Sequence, residues 1–146
     1  MGRAIRLITL PSDQKRLMIR TLAWIIFFRI CLWVLPYSRI KSWMRDEHLT
    51  IVPGQSPKEP SVEAIVNAVR ACRRYVPYAS CLTQAIAAKT MLRRAGYPST
   101  IKIGVVKHDG DFLAHAWLEI DGKIVLGKQR FHSRYSVLGD ISSVRI

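Results

Sequence analysis

The sequence predicts an α+β domain in which helices precede a small antiparallel sheet, with a hydrophobic helical region at the amino terminus. Apolar residues recur at helical spacing from Val62 to Val76 and from Leu82 to Leu92, and the period changes to two after Thr100. Hydrophobic residues make up 49% of the 146 and charged residues 23%, which excludes a disordered chain and suffices for the core of one domain.

The most hydrophobic stretch runs from Leu17 to Leu35. Arg20 and Arg29 interrupt it, so its longest uncharged run is shorter than the roughly 20 residues that a membrane-spanning helix needs. No signal-peptide cleavage site follows before Pro36. We therefore expect a helix with apolar side chains almost all round, which needs partners on more than one side: the core, another protein or a membrane surface.

Residues 51–60 carry three prolines and one glycine, the clearest linker pattern in the chain. This divides the chain into a hydrophobic helical region at residues 1–50, which we predict to be a docking surface, the proline-rich linker, and a compact core at residues 61–146.

Two helices are expected at the start of the core. Ser61 can cap the first, and Pro77 should stop it. The second runs from about Ser80 to Ala95 and ends at Gly96, with Pro98 just beyond. Cys81 therefore lies in the first turn of the second helix.

A three-stranded antiparallel meander is expected next. Its predicted strands are Thr100–Lys107, Phe112–Ile120 and Lys123–Leu126, and Asp-Gly pairs at 109–110 and 121–122 predict the two hairpin turns. The tail from Gly127 to Ile146 is weakly patterned.

Charge and cysteine content exclude several classes of protein. The formal charge is +13, but the basic residues are dispersed and do not form the aromatic-basic pattern of a nucleic-acid module. The three cysteines, Cys31, Cys72 and Cys81, include no CxxC pair, which argues against a disulfide framework and a structural zinc site. We predict a protein of the reducing cytoplasm.

Cys81 is a candidate nucleophile because the start of a helix stabilises a thiolate and offers backbone amides to an oxyanion. The competing interpretation is that a lone cysteine serves as a small buried apolar residue. Cys31 and Cys72 are interpreted in that second way.

His115 can supply the base that a nucleophilic thiol requires. It projects from the second predicted strand between Ala114 and Ala116, and Trp117 on the same face could shield a Cys–His ion pair from water. The competing interpretation is a hydrogen-bonded core histidine. The other histidines, His48, His108 and His132, fall in predicted loops or strand ends, and no metal site is indicated.

Ordered markers run from Cys81 to Leu126: Cys81-Leu82 followed by Ala85, Leu92-Arg93-Arg94 with Gly96, Ile103-Gly104-Val105, and Ala114-His115-Ala116-Trp117 with Glu119 and Gly122. In this order and spacing the chain resembles the transglutaminase-like leader peptidases of lasso-peptide biosynthesis, in their stand-alone, split form. The hydrophobic amino-terminal region and the modest length are similar to that family as well.

The resemblance implies a papain/transglutaminase-like core, with the nucleophile helix packed on the sheet and no cofactor. It implies a cysteine protease that removes the leader from a ribosomally synthesised precursor peptide before a separate lasso cyclase closes the macrolactam. Cys81 would attack the scissile carbonyl, and His115 would accept the thiol proton and return it to the leaving amine. A small leader-recognition protein would bring the peptide to the enzyme.

In the family an Asp on the next strand orients the histidine, and the matching position here is Gly127. Asp121 lies roughly 20 Å along the strand from His115, so we interpret it as a turn residue. A two-residue hairpin loop would place Lys128 opposite His115. Three orienting groups stay open: a backbone carbonyl, Gln129, or an acid from the tail such as Asp140.

Trp117 and Glu119 are predicted substrate-contact residues, since Glu119 shares the face of His115 about 13 Å further along the strand. Two other functions stay open. The same thiol could serve an amide-exchange enzyme in which an amine replaces water. Alternatively, the chain could be a non-catalytic basic protein that binds anionic membrane, with Leu17 to Leu35 on the lipid and Arg70 to Arg74 on phosphate.

Overall fold

Three helices make up the α layer of the computed structural model, which describes residues 11–36, 38–39, 42, 60–108, 110–129 and 135–140. They are α1 (Ser12–Val34), α2 (Val62–Cys72) and α3 (Cys81–Arg94). The linker predicted at residues 51–60 lies outside the described residues except for Pro60.

Serine caps begin α2 and α3, and the sequence predicts the cap at Ser61 and a start of the second helix near Ser80. The Ser61 side chain accepts a hydrogen bond from the Ala64 amide, and the Ser80 side chain accepts one from the Thr83 amide. α2 ends at Cys72, before the predicted stop at Pro77, and a turn carries the chain to α3. Cys81 is therefore the first helical residue of α3.

Four antiparallel strands form the sheet in the order β3-β2-β1-β4. They are β1 (Thr100–His108), β2 (Asp111–Ile120), β3 (Lys123–Leu126) and β4 (Ser136–Asp140). The predicted meander is confirmed, but the tail supplies a fourth strand that was not predicted. In β4 both Val137 and Leu138 are exposed, so this edge strand lacks the alternation of apolar and polar residues that identifies a strand in a sequence.

The core lies between the helices and the sheet. α1 packs against α2 and α3, and α3 packs on β2 and β1. Alanines on α3 allow this close approach, since Ala85, Ala87 and Ala88 are almost fully buried. Thr21, Ile25 and Phe28 of α1 are also buried, so this helix supplies part of the core.

The opposite side of α1 is apolar and exposed. Exposed fractions reach 68% at Ile19, 56% at Ile30 and 84% at Trp33. When hydropathy is averaged over the helix and not only over the run between Arg20 and Arg29, α1 has the length and composition of a membrane-crossing helix. Core helices of soluble proteins and signal sequences have the same property. One side of α1 packs on the rest of the chain and the other side has no cover among the described residues.

Candidate functional site

A pocket of about 640 Å³ lies between the end of α2, the start of α3, β2 and the segment after β3. Cys81 and His115 both line it. These residues are far apart in the sequence, and they meet because α3 packs directly on β2. The structure thus brings together the two residues that the sequence singles out as nucleophile and base.

Cys81 owes its place to the cap of α3. The Ser80 hydroxyl oxygen accepts from the Thr83 amide at 3.2 Å and lies 2.9 Å from the Thr83 hydroxyl, which fixes the first turn. The Cys81 side chain is half-buried and faces the pocket. A thiolate here would lie at the positive end of the helix dipole.

His115 is held by hydrogen bonds at both ring nitrogens. Its Nε2 lies 2.7 Å from the Gly127 carbonyl oxygen, and its Nδ1 lies 3.4 Å from Nε2 of Gln129. Because the Gly127 carbonyl oxygen can only accept a hydrogen bond, the ring proton is assigned to Nε2, and Nδ1 carries the lone pair. The Tyr135 hydroxyl donates to Oε1 of Gln129 at 2.8 Å, which turns the Gln129 amide group toward the imidazole.

The Gly127 carbonyl therefore occupies the place of an orienting acid. Of the three groups left open by the sequence, the backbone carbonyl makes the short bond and Gln129 makes a long one. Asp121 is a turn residue as predicted, with φ 48° at the hairpin tip. β4 places the Asp140 backbone opposite Lys102 of β1, and both β1 and β2 separate it from β3. The Asp140 side chain lies outside the described residues.

The predicted pairing of Lys128 with His115 is wrong by one residue. Ile120 pairs with Lys123 across the expected two-residue turn, but a β-bulge between Leu118 and Glu119 then shifts the register, so Leu118 pairs with Leu126. Continuing this register brings Gln129 rather than Lys128 opposite His115, in agreement with the Gln129 contact.

Trp117 and Glu119 support the histidine rather than line the pocket. The Trp117 indole is 1% exposed, and its ring centroid lies 6.2 Å from that of His115, with 25° between the planes. Its Nε1 donates to Oε1 of Glu119 at 2.7 Å. This placement does not favour the substrate contacts predicted for the two residues, and it does favour a shielding role for Trp117.

Tyr135 and three arginines are site residues that the sequence did not place beside Cys81 and His115. Tyr135 completes the wall around the imidazole, with its ring centroid 5.6 Å from that of His115. Arg70, Arg73 and Arg74 line the pocket from the end of α2. The arginine spacing typical of one helix face is visible in the sequence, whereas nothing near Tyr135 indicates its contact.

The structure offers no alternative use of the site for a metal. Within the described ranges no three His, Cys, Asp or Glu side chains cluster closely enough to hold a metal ion. His48 and His132 lie outside those ranges.

Cys72 differs from Cys81 in burial. It is 2% exposed, and its thiol donates to the Met18 carbonyl oxygen at 3.5 Å. Desolvation by burial raises the pKa of the Cys72 thiol from 9.0 to about 11. The structure thus supports the prediction that Cys72 is a structural residue.

We expect iodoacetamide at pH 8 to alkylate Cys81 and to leave Cys72 unmodified. A thiol of pKa about 11 is thiolate in only about one molecule in a thousand at pH 8, and this fraction rises as the pH rises toward 11. Peptide mapping by mass spectrometry would resolve the cysteines, with urea-unfolded protein as the control in which all three react. Equal labelling of Cys72 and Cys81 in folded protein would contradict this assignment.

Comparison with known proteins identifies a family. The family model described as Transglutaminase-like superfamily matches residues 23–140, which is well over half of the chain. The match begins within α1 and includes α2, α3 and all four strands. No significant match was found among curated proteins or solved structures.

Proposed function

Because the chain belongs to the transglutaminase-like superfamily, which generally comprises cysteine-dependent enzymes, we propose that it is a cysteine peptidase. Its proposed substrate is a ribosomally synthesised lasso precursor peptide, from which it removes the leader. The observation that carries the proposal is the pocket shared by Cys81 and His115, with the imidazole oriented through Nε2 by the Gly127 carbonyl.

The proposed mechanism follows from the assigned tautomer. Nδ1 of His115 takes the Cys81 proton. Nε2 keeps its own proton and donates it in the hydrogen bond to the Gly127 carbonyl oxygen. The thiolate sulfur attacks the scissile carbonyl carbon, and the Cys81 backbone amide at the start of α3 stabilises the oxyanion. The amine leaves with the proton from Nδ1. Water then attacks the thioester carbonyl while Nδ1 accepts one of its protons. The tetrahedral intermediate expels the Cys81 thiolate, which takes that proton back from Nδ1, and the product carboxylic acid releases its remaining proton to solvent.

Amide exchange is the alternative for the same two residues, since an amine could replace water in the second half of the reaction. The discriminating experiment incubates the protein with the precursor encoded beside it, its leader-recognition protein and a primary amine, and weighs the products by mass spectrometry. Free leader with a new carboxylate supports the peptidase. An amine adduct would favour transfer, and no product from folded protein with its partner present would overturn the enzyme proposal.

The exposed apolar face of α1 is the proposed docking surface for the leader-recognition protein. This face comprises Ile19, Ala23, Ile26, Ile30, Trp33 and Val34. One side of α1 is already buried through Ile25 and Phe28, so a partner that covers only the other side preserves the fold. We further propose that the enzyme acts in the cytoplasm, upstream of the cyclase that consumes the freed core peptide.

An Ile30→Glu substitution should raise the Kd for the leader-recognition protein by about tenfold or more, because a charge would enter an apolar interface. Isothermal titration with the purified partner measures this effect. Phe112→Glu is the matched control, because Phe112 is an exposed apolar residue on β2, 73% exposed, away from α1. Unchanged partner affinity in Ile30→Glu, together with lost binding to anionic phosphatidylglycerol vesicles, would instead favour the membrane-surface hypothesis.

A further inference from the structure

The walls of the pocket are cationic. Arg70, Arg73 and Arg74 line one side, and Lys128 lines the other. No aspartate or glutamate is among the residues that line the pocket in the described part of the chain. Four positively charged side chains therefore line the pocket that contains Cys81, and no carboxylate lines it in the described part of the chain.

Helix capping accounts for only part of this arrangement. Basic residues at the end of a helix interact favourably with its dipole, and Arg70 lies in the last turn of α2. Its Nη2 also donates to the Val125 carbonyl oxygen at 3.2 Å, which ties α2 to β3. Arg73 and Arg74 are exposed and follow the helix end, and within the described ranges no acidic side chain pairs with either.

Like charges gathered at one site repel each other, and an anion in the pocket removes that repulsion. Arginine suits a carboxylate in particular, because its planar guanidinium can donate two parallel hydrogen bonds to the two oxygens. The pocket also contains the candidate nucleophile. An anion bound here would lie beside the bond under attack.

We propose that this pocket selects a carboxylate, and that the peptide cleaved at Cys81 carries an aspartate or glutamate side chain close to the scissile bond. The peptide part of the statement rests on the proposed function. The preference of the pocket for an anion does not, because it depends only on the cationic walls. The two parts are therefore tested separately.

The anion preference is tested with iodoacetate and iodoacetamide, which alkylate a thiolate by the same displacement of iodide but differ in charge. We expect Arg73→Ala/Arg74→Ala to lower the ratio of the iodoacetate rate to the iodoacetamide rate at Cys81 by roughly fivefold at low salt. In about 1 M KCl the difference between variant and wild type should vanish, because the Debye length falls to about 3 Å.

The matched control is Arg93→Ala/Lys123→Ala, which removes the same charge from exposed residues that do not line the pocket. Its rate ratio should equal that of the wild type. The proposal is overturned by equal ratios in wild type and Arg73→Ala/Arg74→Ala, and also by a Cys81 that neither reagent reaches, since such a thiol would be closed to anions.

The substrate part is tested on the precursor encoded beside the protein, with each acidic residue near the cleaved bond changed in turn to its amide. For the wild-type enzyme, one such change in the precursor should raise KM by roughly tenfold with little change in kcat. For Arg73→Ala/Arg74→Ala, the KM should be the same for the acid and the amide precursor. Equal KM for acid and amide precursors would overturn this part. If no precursor is cleaved but the alkylation ratio still depends on Arg73 and Arg74, the peptidase proposal is refuted and the anion-site proposal stands.

Discussion

Cys81→Ala is expected to abolish leader cleavage, with a loss of roughly four orders of magnitude or more, because no other thiol and no hydroxyl is among the described residues that line the pocket. The fold should survive. Cys81 is half-buried at the first position of α3, and alanine is a good helix former that leaves the Ser80 cap in place. Cleavage by mass spectrometry and thermal unfolding by circular dichroism measure the two effects.

His115→Ala should cause a comparable loss of cleavage, since it removes the group that takes the thiol proton. Cys31→Ala is the matched control, because Cys31 is also half-buried on a helix but lies on α1 outside the pocket. It should cleave at the wild-type rate. Full activity in Cys81→Ala would refute the assignment of the nucleophile, and full activity in His115→Ala would refute the dyad.

Gly127→Ala should reduce both stability and activity, although the residue contributes no side chain. Its φ is +89°, and an added Cβ would lie 2.9 Å from Trp117 Cβ and 3.1 Å from the Ala116 carbonyl oxygen. We expect the free energy of unfolding to fall by about 2–4 kcal/mol from backbone strain and overpacking. The displaced carbonyl should misorient His115 and lower kcat by about a hundredfold.

Gly122→Ala separates the clash from the strain of a positive φ. Gly122 has φ +73°, but an added Cβ would meet nothing within 4 Å. Its cost should be only about 1 kcal/mol, with kcat unchanged. Denaturant unfolding and cleavage kinetics of the two variants, measured side by side, give the comparison. Equal effects of Gly127→Ala and Gly122→Ala would show that the contact with Trp117 does not matter.

Gly127→Asp should be no better than Gly127→Ala, even though the resemblance seen in the sequence implies an aspartate at this position. The Cβ atom of an aspartate would make the same clash with Trp117 as the Cβ atom of alanine, whatever the carboxylate contacts. A Gly127→Asp variant as active as the wild type would mean that a side chain can orient the imidazole and that the carbonyl is dispensable.

Most of the local structure of this protein can be predicted from its sequence. Ser61 and Ser80 identified the starts of α2 and α3, and the Asp121-Gly122 pair identified the second hairpin. These signals lie within a few residues of the structure they specify, so they can be read without the fold. The ordered Cys81 and His115 motifs likewise predicted the transglutaminase-like family that the comparison confirms.

The groups that hold and surround His115 depend on tertiary packing and could not be predicted. The orienting group is the carbonyl of Gly127, and every residue has a carbonyl, so no residue type in the sequence could identify it. Its position depends on the bulge after Leu118, which shifts the register by one residue. The arginines reach the pocket because α2 packs beside α3. Such contacts depend on the packing of distant segments, and periodicity and capping carry no record of that packing.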